Sequence, residues 1–225
     1  MWKSPFNSSV GFAAVDTTEP YVLHPDELRS LSDTAIPHRI EQFRLGRGAA
    51  QRALQQIGIT DHPPVLKDAS RAPIWPQGIV GTISHTGGLA VAAVGFKHDY
   101  LGLGVDIEKI ADSNRRLRYK KLSLRVCHDD ELNWIYELPS EEALRFTSLF
   151  SAKETLFKAL FPVCRSYIGF KDAHLTWHSN RSEFEVTVLR EIGMNWPKPF
   201  SCSINLALVS DYVLTSLALP NFSNV

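Results

Sequence analysis

The most informative absences in this chain concern net charge, cysteine and long apolar segments. Lys plus Arg and Asp plus Glu each number 24, and this balance argues against a general nucleic-acid-binding protein. The cysteines number only 3, are widely spaced and form no Cys-x-x-Cys pair, which favours a reducing, cytoplasmic environment. No apolar run approaches about 18 residues, so we predict no membrane span. The amino terminus has no uninterrupted apolar core, so we predict no signal peptide.

Apolar residues are nevertheless abundant enough to build a substantial core. The chain has 225 residues, 44% of them hydrophobic, which suits one large domain or two small ones. Hydrophobic periodicity predicts helices at about 37–57, 113–136 and 140–160. The predicted strands lie near 12–16, 89–96, 104–108, 173–177, 184–191, 200–209 and 212–219. Because each half mixes a long helix with hairpins, the pattern is typical of an α+β fold.

Two carboxylates lie two residues apart in the segment Gly-Val-Asp-Ile-Glu at 104–108. In a strand, side chains alternate between faces, so Asp106 and Glu108 point the same way while Val105 and Ile107 face the core. Neighbouring carboxylates repel each other unless a cation or strong donors lie between them, and Mg²⁺ prefers such oxygens. The alternative is a solvated strand end, and the pair alone does not decide between them.

A third carboxylate, Glu154, lies on the predicted helix at 140–160, at the edge of its apolar face. Two simpler interpretations compete with a functional one. The first is a capping box of Ser151 and Glu154, which a better helix start near Pro139 makes unattractive. The second is a surface ion pair between Glu154 and Lys158, one helical turn apart.

A proline-rich segment at 71–85 leads into a short apolar strand. Pro73 and Pro76 exclude a helix and stiffen the loop, which delivers Ser84 and His85 beside the strand at 89–96. The Ser84 hydroxyl, His85 and Arg71 are plausible phosphate donors. A purely structural histidine after a strand is the alternative.

Taken together, the order of these motifs resembles the 4′-phosphopantetheinyl transferases, in the branch that includes the enterobactin synthetase and surfactin-type enzymes. The motifs are Arg-x-Pro-x-Trp-Pro, Ile-Ser-His, Gly-x-Asp-Ile-Glu and Phe-Ser-x-Lys-Glu-x-x-x-Lys, all between Arg71 and Leu160. The resemblance implies two similar α/β halves with pseudo-twofold symmetry and an active site at their interface. We place the halves at 1–103, with the coenzyme A phosphate contacts, and 104–225, with the metal and catalytic motifs.

The same resemblance assigns roles to individual residues. Asp106, Glu108 and Glu154 would bind Mg²⁺ on the pyrophosphate of coenzyme A, with Glu154 also the base. The phosphate contacts and catalytic partners it implies are Ser84, His85, Arg71, Lys158 and, less directly, Lys153. Arg47 would contact the 3′-phosphate, assisted by Arg39 or Arg44. The implied reaction moves the phosphopantetheine arm to a carrier-protein serine and releases 3′,5′-ADP.

A basic segment at 115–125 carries cations and no acid: Arg115, Arg116, Arg118, Lys120, Lys121 and Arg125. In a chain without net charge this is a strong local asymmetry. We interpret it as a candidate docking surface for an acidic carrier protein. A solvated helix face is the alternative, and a nucleic-acid stripe is disfavoured because only Tyr119 is available for stacking.

Three functional classes remain open from the sequence. A carrier-modifying transferase, acting as a cytoplasmic monomer in siderophore or other secondary metabolism, fits best. A metal-dependent phosphohydrolase would use the same three carboxylates but would need no 3′-phosphate site. A non-catalytic carrier-binding relative is disfavoured by the intact acidic residues and both lysines, Lys153 and Lys158.

Overall fold

The computed structural model describes residues 2–32, 34–112, 116–164, 168–191 and 200–221. The helices are α1 (Pro25–Arg29), α2 (Pro37–Gln56), α3 (Arg116–Val126), α4 (Asp129–Tyr136) and α5 (Glu142–Cys164). The strands of the first half are β1 (Gly11–Asp16), β2 (Leu66–Lys67), β3 (Pro73–Ile74), β4 (Ile79–Thr86) and β5 (Leu89–Phe96). Those that follow are β6 (Tyr100–Lys109), β7 (Ala173–His178), β8 (Glu183–Val188), β9 (Phe200–Val209) and β10 (Tyr212–Pro220).

The first half is an antiparallel sheet, β1-β5-β4, covered by α2. Strand β5 is apolar along its whole length and almost entirely buried, because α2 covers one face and the second half covers the other. Gly11 permits the close helix contact, since a Cβ there would collide with the backbone carbonyl of Ala53. The β4-β5 turn uses Gly87, whose φ of 56° favours glycine.

The second half repeats this design on a larger scale. The antiparallel sheet β6-β10-β9-β8-β7 packs against α5, and α3 and α4 pack against the same helix. Gly102 and Gly104 of β6 again allow a close approach, because a Cβ would collide with the carbonyls of Ala159 and Thr155. The α+β prediction is confirmed, while the pseudo-twofold axis itself stays a prediction.

A buried glutamate near the start of a short helix recurs in both halves. Glu27 in α1 and Glu131 in α4 are both at most 2% exposed, and each accepts two backbone N–H groups. The donors are His24 and Val65 for the first glutamate, and His128 and Leu175 for the second, at distances of 2.7 to 3.0 Å. Each glutamate thus ties a helix start to a distant strand or loop of its own half.

Several element boundaries differ from the predicted ones. The helix predicted at 113–136 is two helices, because the Glu131 carboxylate accepts the backbone N–H of His128 and a new helix starts there. Residues 113–115, including Arg115, lie outside the described residues. The strand predicted at 184–191 ends at Val188. The proposed division at 103/104 falls inside β6, so the domain boundary stays a prediction.

The two halves meet where β4 and β6 lie side by side although they belong to different sheets. Val105, Ile107 and Leu103 of β6 are fully buried against the face of the first sheet that points away from α2. The prediction that Val105 and Ile107 face the core is therefore confirmed. Asp106, between them, points into the seam at which the candidate site is found.

Candidate active site

Three polar side chains from three elements meet at the β4–β6 seam. The Ser84 hydroxyl of β4 donates to Oδ1 of Asp106 over 2.7 Å. The Lys158 ammonium of α5 lies 2.6 Å from the same oxygen and 2.9 Å from Oγ of Ser84. The structure therefore brings together Ser84, Asp106 and Lys158, which lie far apart in sequence.

The second oxygen of Asp106 is the feature that points to a ligand. Asp106 is only 2% exposed, and its Oδ2 is buried without a hydrogen-bond partner. A buried carboxylate oxygen without a partner is costly, and native proteins retain such groups mainly where function uses them. A hard oxygen donor of this kind suits Mg²⁺, so the observed site fits the implied metal.

Glu108 and Glu154 are half-buried and interact electrostatically with Asp106. Burial, reinforced by the Asp106 charge, raises the pKa of Glu108 to about 7. Burial also raises the pKa of Glu154, against the opposing effect of the Lys158 ammonium. Across the described ranges, no group of three His, Cys, Asp or Glu side chains stands ready to hold a metal. Any Mg²⁺ here would therefore need oxygens from phosphate or water besides the carboxylates.

The two simpler interpretations of Glu154 do not describe the structure. Ser151 lies inside α5, is fully buried and bonds Thr215 over 2.8 Å, so it caps no helix. The Lys158 ammonium binds Asp106 and Ser84 instead of forming a surface pair with Glu154.

His85 follows Ser84 on β4, and the charged side chains around it affect the pKa of its imidazole. The pKa of its imidazole is lowered, first by partial desolvation and then by the Lys158 ammonium, with a further effect of Arg39. His85 thus lies within electrostatic range of both Lys158 and Arg39. Arg71 also approaches this region, from a left-handed turn with φ of 68°.

Arg47 of α2 is buried and incompletely paired. The residue is 7% exposed, one guanidinium nitrogen donates to the Leu66 carbonyl over 3.2 Å, and Nε has no partner. The guanidinium carbon lies 4.2 Å from the centre of the Phe43 ring. Desolvation lowers its pKa to about 10, although the nearby Glu27 carboxylate opposes that shift.

Lys153 is the corresponding buried cation of the second half, but its ammonium is fully paired. Its Nζ contacts Oε2 of Glu131 at 2.8 Å, and the other acceptors are the carbonyls of Val126, Phe170 and Ala173 at 2.9 to 3.1 Å. The side chain is 1% exposed. An ammonium with four acceptors has no donor left for phosphate, so Lys153 is corrected from a phosphate contact to a structural residue.

Arg44 is also engaged elsewhere. Its guanidinium forms a two-point contact with the Glu41 carboxylate, at 2.6 and 2.9 Å, and reaches the Glu19 carbonyl. Arg39 is exposed and makes only a 3.3 Å contact with Gln42 in the described residues. Of the two assisting arginines predicted from the sequence, Arg39 is therefore the one available to a ligand.

A cavity of about 920 Å³ opens beside the seam, between the proline-rich segment and the end of α5. Lys158, Arg71, Thr82 and Trp75 contribute to its wall. The indole of Trp75 donates to the Gly81 carbonyl over 3.0 Å and packs where a Cβ at Gly81 would lie. A smaller pocket of about 100 Å³ lies on the other side of α5 and includes Glu154 and Phe157.

Two polar residues of this region were not selected from the sequence. Thr82 lies two residues before Ser84 on β4, and its hydroxyl accepts from the Val105 N–H over 3.4 Å. The Lys67 ammonium lies 5.6 Å from the centre of the Phe43 ring, which the Arg47 guanidinium also contacts. Alternation along β4 could have indicated Thr82, whereas nothing local indicates Lys67.

Comparison with known proteins decides the family. The model of the 4′-phosphopantetheinyl transferase superfamily matches residues 102–215, and the model of the 4′-phosphopantetheinyl transferase N-terminal domain matches residues 27–95. The chain belongs to the 4′-phosphopantetheinyl transferase superfamily. The family prediction made from the motifs is confirmed, and the two matched regions contain all the predicted site residues.

Curated relatives in this superfamily include three from different bacteria. The 4′-phosphopantetheinyl transferase Npt of Nocardia iowensis is 33% identical over 68% of this chain and 66% of its own length. The transferase PptT of Mycobacterium tuberculosis is 28% identical over 76% of this chain and 73% of its own. Enterobactin synthase component D of Salmonella typhi is 33% identical over 68% of this chain and 59% of its own. The matches thus span roughly three fifths to three quarters of these relatives.

One solved structure that matches is the Thermotoga maritima holo-[acyl-carrier-protein] synthase. It is 18% identical, with a TM-score of 0.39, over 53% of this chain and 63% of its own. Among the described helices, none is both long and apolar enough to cross a membrane.

Proposed function

We propose that this chain transfers the 4′-phosphopantetheine arm of coenzyme A to a serine of an apo carrier protein. The observation that carries the proposal is the meeting of Ser84, Asp106 and Lys158, with one Asp106 oxygen left unpaired, in a chain of this superfamily. The released product would be 3′,5′-ADP. The three dispersed cysteines, none of which forms a disulfide in the described structure, support a cytoplasmic location.

The pyrophosphate of coenzyme A is proposed to lie at the seam. Asp106, Glu108 and Glu154 would hold Mg²⁺, which when bound would neutralise negative charge on the phosphates. Lys158 and His85 would supply donors to the phosphate oxygens, and Ser84 could join them only by giving up its hydrogen bond to Asp106, because a hydroxyl has a single donor. The 920 Å³ cavity that Lys158 and Arg71 border is large enough to take part of the ligand.

The reaction needs one bond to form and one to break. The carrier serine oxygen attacks the β-phosphorus, and the bond from that phosphorus to the bridging oxygen breaks, so that the electron pair leaves with 3′,5′-ADP. The serine proton passes to Glu154, directly or through one water, since the raised pKa of this carboxylate favours proton acceptance. Lys158 and His85 stabilise charge on the phosphates, because positioning and neutralisation dominate phosphoryl-type transfer.

The proposed test is a transfer assay followed by mass spectrometry. Purified protein is incubated with Mg²⁺, coenzyme A and an apo carrier, and the carrier mass is measured. A gain of one phosphopantetheine arm, lost when the carrier serine is replaced by alanine, supports transfer. Release of phosphate-containing products without any carrier modification would instead identify a phosphohydrolase.

The 3′-phosphate of coenzyme A is assigned to Arg47, assisted by Arg39 and Lys67. The two buried cations differ in their hydrogen bonding. The Lys153 ammonium is fully paired, whereas the Nε of Arg47 has no hydrogen-bond partner. A guanidinium and an ammonium beside one aromatic ring suit a doubly charged phosphate.

Replacing this guanidinium should therefore discriminate between two ligands. We expect Arg47→Met to weaken coenzyme A by about 1.5 to 3 kcal/mol, the value of a hydrogen bond to a charged group, and dephospho-coenzyme A much less. Calorimetric titration of both ligands measures the difference, with Arg44→Met as the matched control because Arg44 is paired with Glu41. Equal losses for the two ligands would exclude Arg47 as the 3′-phosphate contact.

Carrier docking is proposed on the exposed side of α3. One face of this helix packs on α5 and is buried; its residues are Tyr119, Ser123 and Val126. The Arg116 guanidinium is excluded from this surface, because it donates two hydrogen bonds of 2.6 and 2.7 Å to the Glu142 carboxylate. The exposed cations that remain, here called the α3 basic face, are Arg118, Lys120, Lys121 and Arg125. Leu117 and Leu124, 78% and 57% exposed, lie one heptad apart between them.

Reversing charge on the α3 basic face should affect the carrier and not coenzyme A. We expect Arg118→Glu with Lys121→Glu to raise the KM for an acidic carrier about tenfold at low salt, since steering charges act mainly on association. The KM of the variant should also depend less on salt concentration than that of the native protein. The reason is that the variant lacks the charge attraction, which salt screens beyond a Debye length of about 8 Å. The control is Lys3→Glu, a reversal of an exposed lysine outside α3. If the KM for the carrier and its dependence on salt are both unchanged, the exposed side of α3 is a solvated helix face with no role in docking.

A further inference from the structure

The contact between β4 and β6 is made by side-chain hydroxyls. Strand β4 pairs with β5, and β6 pairs with β10, so the two strands end separate sheets. The Thr82 hydroxyl accepts from the Val105 N–H and the Ser84 hydroxyl accepts from the Ile107 N–H, both over 3.4 Å. Both contacts join residues 23 apart in sequence, so the strands run parallel in a constant register. Side-chain hydroxyls on alternate residues of β4 thus accept the β6 N–H groups that backbone carbonyls would accept in a continuous sheet.

These two hydroxyls hold the residues on either side of Asp106. Val105 and Ile107 flank the carboxylate that carries the unpaired Oδ2, and both are fully buried. Ser84 in addition binds Asp106 and Lys158 directly, whereas Thr82 touches only the backbone before Asp106.

We propose that Thr82 is a positioning residue, whose hydroxyl holds β6 against β4 so that the free oxygen of Asp106 faces the bound metal and phosphate. The inference rests on the proposed function, because it assumes that Asp106 is a metal ligand. Thr82 is 2% exposed and its hydroxyl contacts the backbone of β6 within the seam, although the residue also belongs to the wall of the cavity. Through this contact the first half of the chain would set the geometry of a carboxylate that belongs to the second half.

The test separates the hydroxyl from the volume of the side chain. Thr82→Val keeps the shape and removes the acceptor, and Thr82→Ser keeps the acceptor with less volume. Mn²⁺ binding in the presence of coenzyme A is measured by electron paramagnetic resonance, together with the Mg²⁺ concentration for half-maximal transfer. We expect Thr82→Val to weaken Mn²⁺ about tenfold, as outer-shell substitutions at metal sites do, and Thr82→Ser to resemble the native protein.

Thr147→Val is the matched control. The Thr147 hydroxyl also accepts a backbone N–H, that of Ala111 over 3.0 Å, and the residue is 4% exposed, but it lies outside β4 and β6. It should lose stability comparably and bind Mn²⁺ normally. If Thr82→Val proves unable to fold, Thr82→Ala replaces it with the same expectation.

Three results would overturn the proposal. Native-like Mn²⁺ binding by Thr82→Val would show that the hydroxyl does not position the metal ligand. Equal weakening by Thr82→Ser would assign the effect to packing volume. Native protein that binds no Mn²⁺ would remove the metal site altogether, and with it the metal part of the proposed function, whereas the first two results leave that function standing.

Discussion

Asp106→Asn is expected to lower the transfer rate by about a hundredfold to a thousandfold, the cost of removing one preorganised electrostatic contact from an active site. Asparagine keeps the shape and the Ser84 contact, but it removes the charge that Lys158 and a metal would meet. The measurement is kcat/KM for carrier modification at saturating Mg²⁺ and coenzyme A, with Glu154→Gln expected to fall comparably because it removes the proposed base.

The stability of these variants provides a second, independent observable. Asp106 is ion-paired with Lys158 at 2.6 Å, so its replacement should cost about 1 to 3 kcal/mol instead of relieving repulsion. The cost stays in this moderate range because Lys158 is 23% exposed, so water can solvate its ammonium once the carboxylate is lost. The control, Asp211→Asn, alters an exposed carboxylate in the β9-β10 turn that pairs with Lys109. Near-native turnover of Asp106→Asn would remove Asp106 from the catalytic machinery.

Lys153→Met should have the largest effect on folding. Removing the ammonium leaves the Glu131 charge and three carbonyls buried without their donor, and breaking a buried pair costs about 3 to 5 kcal/mol. Urea unfolding measures the loss, and Lys171→Met, an exposed lysine of the nearby 3-10 helix, should change stability by less than about 0.5 kcal/mol.

A double substitution identifies the mechanism of this loss. Lys153→Met with Glu131→Leu should recover part of the stability, because no unpaired charge remains, but not all of it. Glu131 also accepts the N–H groups of His128 and Leu175, which the double variant leaves without an acceptor. Coenzyme A affinity of the folded Lys153→Met protein should be close to native. A selective loss of coenzyme A binding at unchanged stability would return Lys153 to the phosphate site.

What could be predicted from the sequence is what depends on short-range geometry. Strand alternation placed Asp106 between two core residues, and helical spacing placed Glu154 and Lys158 one turn apart on α5. The second of the two helices in 113–136 has a histidine at its N-cap, and histidine is not a usual N-cap, so the division was missed.

The partners of the charged side chains were decided by the tertiary structure alone. Lys158 has a carboxylate one turn away in sequence, yet it binds Asp106, which is 52 residues away. Lys153 turns to Glu131 and Arg116 to Glu142, across 22 and 26 residues. The physical reason is that local periodicity determines the face on which a side chain lies, while the packing of distant elements determines which charge it meets there. The sequence by itself therefore determined the family, the fold class and the residues proposed for the site, and only the packing of distant elements showed which of the cations are already paired within the protein.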